Sequence, residues 1–252
     1  MDNNTVTEIK EKFRNAKNRL VLLDYDGTLV NYELIPDKAR LPDHLNDILK
    51  KLIDKPRNKV FIISGRSHKD IDKLLDHLPV NIIAEHGAIQ KVGGVWKNQI
   101  NDDALWKNAV IPILNQVTVK CPGSFVEEKM FSLTWHYRSA EAQSGFRHSR
   151  ELIATLEEVI HSYNLKILDG NKVVEILTNG NGKGYAVKKL IEQNRYDFVL
   201  SIGDDTTDEE MFEFLLNSSN AYTIKVGEGD TYARYKLDSI SDVSSLLKQL
   251  SG

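Results

Sequence analysis

The sequence predicts an α/β protein: a Rossmann-like parallel sheet covered by helices, interrupted by an inserted α+β cap. Three observations carry this. Short unbroken apolar runs, such as LVLL from Leu20, KVFII from Lys59 and FVLSI from Phe198, alternate with stretches whose apolar residues recur every three or four positions. That is the pattern of βαβ units whose strands are buried on both faces. Each run ends in polar residues, which in an open α/β sheet lie at the carboxyl edge where ligands bind. The alternation breaks near residue 93 and resumes near 174, so residues 1–92 and 174–252 are expected to form the core and 93–173 the cap.

The first helix follows from Val6, Ile9, Phe13 and Ala16, spaced by three and four. The first strand lies in RLVLLDYDGTLV, from Arg19 to Val30, and sets Asp24 and Asp26 where the strand runs out and Gly27-Thr28 turns the chain. After it, NYELIPDKARLPD is polar and interrupted by Pro36 and Pro42, which suits a loop or flap. Leu45, Ile48, Leu49, Leu52 and Ile53 mark a helix, and KVFII a second buried strand that ends in Ser64-Gly65-Arg66. A hydroxyl, a flexible backbone and a cation at that place suit a phosphate oxygen. A helix capped by Ser67, with Ile71, Leu74 and Leu75 inward, leads to a third strand, VNIIA from Val80, which ends in Glu85-His86-Gly87.

From Gly93-Gly94 the character changes. A helical pattern through Leu105, Trp106, Val110, Ile111, Leu114 and Val117 is followed by a Cys-Pro-Gly turn and the strand-like SFVEEKMFSLTWHYR. A second helix carries Leu152, Ile153, Leu156, Val159 and Ile160, and two strands, LKILD and KVVEIL, are expected to join as a hairpin through Gly170-Asn171. The core resumes with NGNGKG, which sets Lys183 near a helix start, where backbone N–H groups are free and a cation opposes the macrodipole unless an anion lies between them. The strand DFVLSIG then ends in Asp204-Asp205-Thr206-Thr207-Asp208-Glu209-Glu210. Five acids in seven residues repel one another without a cation. Asp208 suits a helix cap; Asp204, at the strand end, suits a divalent metal.

Composition narrows the function. With 33 basic and 36 acidic residues and a net charge of −3, the chain has no overall basic footprint for nucleic acid. No apolar run approaches the ~20 residues that cross a bilayer, so no membrane role is expected. A single cysteine, Cys121, and a polar N-terminus without a signal-peptide core suit a cytoplasmic enzyme. The strand ends together carry Asp24, Asp26, Ser64, Lys183 and Asp204, an inventory that selects phosphoryl transfer. Hard carboxylate oxygens suit Mg²⁺, which also holds a substrate phosphate, and with Lys183 it offsets the dianion's charge. Carboxylates form covalent phosphoryl intermediates. Asp24, nearest the rigid strand, is the expected nucleophile, and Asp26 the group that protonates the leaving oxygen and then activates water.

DYDGT, Ser64, Lys183 and GDDTTD, in this order, resemble the four motifs of the haloacid dehalogenase superfamily of phosphotransferases. The resemblance implies a core of that type, with Asp24 as nucleophile, Asp26 as acid/base, and Ser64 and Lys183 holding the phosphoryl group. It also implies Mg²⁺ ligation by Asp24, Asp204 and the carbonyl of Asp26, with Asp208 second to the metal or orienting Lys183, and Asp205 as a further neighbour. Over nearly the whole chain, LLDYDGTL, IISGR, AEHGA, PGSFVEEKMFSLTWHYR, GNKVVEI, GKG, GDDTTDEEMF and YTIKVG resemble the trehalose-6-phosphate phosphatases, above all the phosphatase portion of bifunctional synthase/phosphatases. NGNGKG departs from the plain Asn-Lys-Gly usual there. The likeness implies trehalose 6-phosphate as substrate and a synthase domain as a partner in the same chain or complex. It sets Arg66, Glu85, His86, Glu127, Lys129, His136, Arg138 and Glu175 around sugar or phosphate. Glu127 and Lys129 share a strand face suited to vicinal hydroxyls, but their parity is also that of Phe131, Leu133 and Trp135, so a turn or bulge must intervene. Another capped sugar phosphatase, a phosphomannomutase, or an inactive module that binds a sugar phosphate are the alternatives.

Overall fold

The computed structural model describes residues 1–33, 35–100 and 104–252; Leu34 of the predicted flap and residues 101–103 of the predicted cap lie outside them. The chain divides into two compact units, Met1–Gln99 with Gly182–Gly252, and Ile100–Asn181.

In the first unit an eight-stranded sheet has the order β12-β11-β10-β1-β2-β3-β4-β5. Its centre is β1 (Arg19–Asp24), flanked in parallel by β2 (Asn58–Ile63) and β10 (Phe198–Gly203). Continuous apolar runs give these strands because both faces are covered. Leu20, Leu22, Phe61 and Ile63 pack against Val187 and Leu190 of α6 (Lys183–Gln193) and against Met211, Phe212 and Leu215 of α7 (Thr206–Leu215). Among the other helices, α2 (Asp43–Asp54) buries Leu45, Ile48, Leu49 and Leu52 and packs on α8 (Ile240–Ser251), which also meets α1 (Asn3–Asn15). β3 (Asn81–Ala84), β11 (Ala221–Val226) and β12 (Tyr235–Leu237) continue the parallel part, and α3 (His68–Leu75) starts at its Ser67 cap.

The predicted boundary at 93 is displaced. Gly93-Gly94, with φ of 57° and 82°, turns a two-residue hairpin between β4 (Ile89–Val92) and β5 (Val95–Asn98), and this hairpin extends the core sheet, β4 antiparallel to β3 and β5 antiparallel to β4. Consecutive positive φ values are what a tight hairpin of this twist needs. The paired glycines therefore mark a turn inside the core sheet, and the division falls at 99/100.

The second unit is a four-stranded antiparallel sheet of order β6-β7-β9-β8 against α4 (Lys107–Lys120) and α5 (Ala142–Tyr163). Trp106, Val110, Leu114, Leu152 and Leu156 meet Leu133, Trp135, Val174 and Ile176 in a core of its own. The stretch expected as strand-like from 124 to 138 is a hairpin, β6 (Phe125–Glu128) and β7 (Ser132–His136). β8 (Leu165–Gly170) and β9 (Val173–Thr178) turn at Asn171-Lys172, one residue beyond the predicted Gly170-Asn171, with Lys172 at φ 65°. β9 lies between β7 and β8, so the strand expected to reopen the core belongs to this unit, and the second division falls at 181/182.

Candidate active site

Strand register assembles the core site. Asp24 lies level with Ile63 across β2, and Leu23 with Ile202 across β10, so Ser64 and Asp204 each stand one step past the same edge as Asp24. Gly27 then brings the turn after β1 onto Asp204: its φ is 85°, and a Cβ there would sit 2.0 Å from Asp204 Oδ2. Only glycine fits that backbone and that space.

Lys183, the first residue of α6, donates from Nζ to Asp24 Oδ1 at 2.6 Å and to Asp208 Oδ1 at 2.8 Å, and all three side chains are buried. Asp208 also closes the start of α7, where its Oδ2 accepts from the backbone N–H groups of Asp204 and Asp205 at 3.0 Å each, with Asp205 as the helix cap. One carboxylate thus holds both the lysine and the acidic loop. Gly203 leaves room for it, since a Cβ there would lie 2.2 Å from Asp208 Cγ.

Three carboxylates around one lysine leave negative charge in excess. Burial, then Asp208, push the Asp24 carboxyl well above the usual carboxylate range against the pull of Lys183. Burial and Asp208 likewise raise Asp204 to about 6. Burial alone would lower Lys183, but Asp208 and Asp24 outweigh it and hold the ammonium charged. Oxygens of Asp24, Asp204 and Asp208 lie within 4.8 Å of one another, and Asp24 Oδ2 is buried with no hydrogen-bond partner among the described residues. A hard divalent cation fits this donor set. Asp208, whose oxygens already serve Lys183 and the α7 start, is the member least free to ligate it.

The remaining core candidates form one packed corner. Arg66 makes a two-point ion pair with Asp26, Nε to Oδ2 and Nη2 to Oδ1, both 2.6 Å. Its backbone N–H donates to Ser64 Oγ, and its carbonyl accepts from the N–H of Glu85. Glu85 and His86 both have positive φ, 49° and 56°, a conformation uncommon for such residues and typical of functional corners. It buries the His86 ring against Gly65, where a Cβ would lie 2.4 Å from Nε2, and sets Glu85 Oε1 3.3 Å from His68 Nδ1.

The other candidates share one face of the second unit's sheet. Glu127 pairs with Thr134 across β6/β7, and Thr134 with Glu175 across β7/β9. The turn at Met130-Phe131 supplies the required change of parity: past it, even-numbered Thr134 and His136 join Glu127, while Leu133 and Trp135 point to the apolar core. Lys129 Nζ donates to Glu175 Oε1 at 2.9 Å, which also accepts from Ser132 Oγ at 2.6 Å. Glu127 Oε2 lies 2.7 Å from His136 Nε2. Burial would raise the Glu127 carboxyl, but that bond and Lys129 outweigh it and hold it below the usual range. Arg138 stands in the turn after β7 and donates to the carbonyl of Asn171.

Three further residues touch Asp204. Tyr32 donates its hydroxyl to Oδ2 at 3.0 Å, Thr28 its hydroxyl to Oδ1 at 3.3 Å, and Lys225 its ammonium to the backbone oxygen. Lys225 left a trace in the sequence, a lysine within the buried strand AYTIKV; Tyr32, in an irregular loop, left none.

A sheet with paired acids after its central strand, a lysine opening a helix, and acids after the neighbouring strand defines a haloacid dehalogenase-type core. A haloacid dehalogenase-like hydrolase from B. subtilis shares the fold with a TM-score of 0.65 at 14% identity, over 92% of this chain and 99% of that one. Residues 22–241 match the trehalose-phosphatase family, and the chain belongs to it. It is 40% identical over 97% of its length to α,α-trehalose-phosphate synthase [UDP-forming] B of Dictyostelium discoideum, and 40% identical over 99% to a bifunctional trehalose-6-phosphate synthase/phosphatase of Thermoproteus tenax. The chain spans only 32% and 34% of those longer proteins. The C-terminal domain of C. albicans trehalose-6-phosphate phosphatase superposes with a TM-score of 0.91 at 31% identity, over 98% of this chain and 96% of that one.

Proposed function

We propose that the protein hydrolyses trehalose 6-phosphate to trehalose and phosphate through an aspartyl-phosphate on Asp24, with Mg²⁺ as cofactor. The observation that carries this is the buried carboxylate of Asp24, with Oδ1 fixed by Lys183 and Oδ2 unpartnered. One oxygen is held and the other is left to attack. When bound among Asp24, Asp204 and the Asp26 carbonyl, Mg²⁺ supplies positive charge that offsets carboxylate and phosphate together.

Asp24 Oδ2 forms a bond to phosphorus as the bond from phosphorus to the sugar oxygen breaks, and the leaving oxygen takes a proton from Asp26. Water then attacks phosphorus, gives its proton to Asp26 and releases phosphate and the Asp24 carboxylate. Lys183 has three N–H donors, of which Asp24 and Asp208 take two, so the third is left for a phosphoryl oxygen. Ser64 Oγ donates to another. Both oxygens of Asp26 accept from Arg66, so before the first step one of those bonds must open and Asp26 take up a proton from solvent, which leaves Arg66 free to turn toward the phosphate. The substrate assignment is supported by the family, by the names of the relatives, and by the acid- and lysine-bearing face of the second unit, to which sugar hydroxyls are assigned. Names that join synthase and phosphatase support a synthase partner in the same chain or complex. No described helix is long and apolar enough to cross a membrane.

Phosphate release from trehalose 6-phosphate, measured beside glucose 6-phosphate, sucrose 6-phosphate and mannose phosphates, with Mg²⁺ and with EDTA, tests this. Trehalose 6-phosphate should be turned over fastest and only with the metal. Equal rates across the panel would overturn the substrate, and full rates in EDTA the metal.

A further inference from the structure

At the amino edge of the core sheet, opposite the strand ends that carry Asp24 and Asp204, two adjoining cavities of about 490 and 580 Å³ share Arg14, Arg19 and Lys55 in their walls. Lys10 completes one and Lys17 and Arg57 the other; among the described residues Glu11 is the only acidic side chain lining either, and Lys55 Nζ donates to an oxygen of Gly252, which also lines the first, at 2.9 Å. In a chain of net charge −3 this is a local reversal of sign. None of the six cations is paired with a carboxylate side chain among the described residues. The nearby Asp197 is occupied, since its Oδ2 accepts from the backbone N–H groups of Lys17 and Asn18.

The cations are also set against one another. Lys10 and Arg14 stand four apart on one face of α1, where like charges destabilise a helix. Arg19 is half-buried, held by the Phe13 carbonyl at 2.6 Å and Asn58 Oδ1 at 2.9 Å. Burial, then the facing Arg57, lower its affinity for its proton. Arg57 in turn sits at φ 64°, in the turn that leads to β2. One like-charge pair lines each of the two adjoining cavities, Lys10 with Arg14 in the first and Arg19 with Arg57 in the second, and an anion beside either pair would offset its repulsion. The volumes are those of small-molecule sites, and guanidinium forks match phosphate oxygens two at a time.

We propose that this basic cleft is a second ligand site, separate from the phosphatase centre, that binds a small ligand carrying two or more phosphate charges. The shared chemistry is a phosphoanhydride or multiply charged phosphate ester, and pyrophosphate and adenosine diphosphate are the probes. Titration of each into the metal-free protein, followed by ¹H–¹⁵N spectra at low and at physiological salt, should shift amides of residues 14–19 and 55–58 saturably, and more weakly as salt rises. Tighter binding of the diphosphate nucleotide assigns a nucleotide; equal binding assigns the bare anion. The double variant Arg14→Gln/Arg57→Gln should lose tenfold or more in affinity, keep p-nitrophenyl phosphate turnover, and melt at a higher temperature than the parent in low salt without ligand. Should that pair fail to fold, Lys10→Gln reports the same loss from the helix side. Shifts confined to the surroundings of Asp24 and Lys183, shifts that never saturate, or unchanged affinity in the variants would overturn the proposal. Binding of polyglutamate but not pyrophosphate would overturn it in favour of an acidic protein surface.

Discussion

At Asp24 the demands of chemistry and of folding oppose each other. Its carboxylate is buried beside two other acids with a single lysine to balance them. Asp24→Asn removes the proposed nucleophile and relieves the repulsion, so it should abolish turnover and the proposed covalent intermediate while leaving the metal-free melting temperature equal or higher. Beryllium fluoride should attach to Asp24 in the parent, and an adduct found on Asp26 by mass or structure would reverse the roles. Lys183→Met has the opposite sign. It strands Asp24 and Asp208 without their cation, and breaking such a buried pair costs about 3–5 kcal/mol, measured by urea unfolding. The types and order of these residues were legible in the sequence. The two-point bond between Arg66 and Asp26 was not, because it depends on loops forty residues apart meeting at one corner.

At the scale of elements, the β6–β7 hairpin decides which side chains share a face. Alternation within one strand would have set Glu127 beside Leu133 and Trp135; the turn at Met130-Phe131 exchanges them for Thr134 and His136. Lys129, bonded to Glu175 on that face, is proposed to read sugar hydroxyls. Lys129→Ala should then lower kcat/KM for trehalose 6-phosphate about ten- to a hundredfold, the equivalent of roughly 1–3 kcal/mol for a charged hydrogen bond. Turnover of p-nitrophenyl phosphate, which offers phosphate without sugar, should stay the same. Equal losses on both substrates, with circular dichroism unchanged, would sink the sugar-reading role. The need for a turn was visible from parity alone, but its position was not, since KMFS contains none of the glycine or asparagine that usually announces a tight turn.

For the whole molecule, the excess of acids at the site couples pH to stability, and the proposed metal would shift that coupling. A carboxyl whose folded pKa is raised binds more protons in the folded state than in the unfolded one, so stability falls as pH rises between the two values. Asp204 moves from 3.8 to about 6, and Asp24 moves in the same direction. The metal-free protein should therefore lose melting temperature as pH rises from about 4 to above 6, and Mg²⁺ should restore more of it at pH 7.5 than at pH 5. A metal-free melting temperature that climbed across this window would contradict the acidic cluster as the source.

By itself the sequence determined the α/β core, the order of its central strands β1, β2, β3 and β10 along the chain, and the polar residues that close them. Such features are local: a strand buried on both faces must be apolar throughout, and the chain must leave it through residues that tolerate water or ligand. It also carried the likeness to the trehalose phosphatases, because that rests on short contiguous motifs. Only the tertiary structure decided where the units divide, which side of Gly93-Gly94 belongs to the core sheet, and how Asp208 serves both Lys183 and the start of α7. These outcomes depend on pairing between segments distant along the chain. A Gly-Gly turn or an acid near a helix start has the same local energetics wherever its neighbours come from, so its role is settled only when the sheet has closed around it.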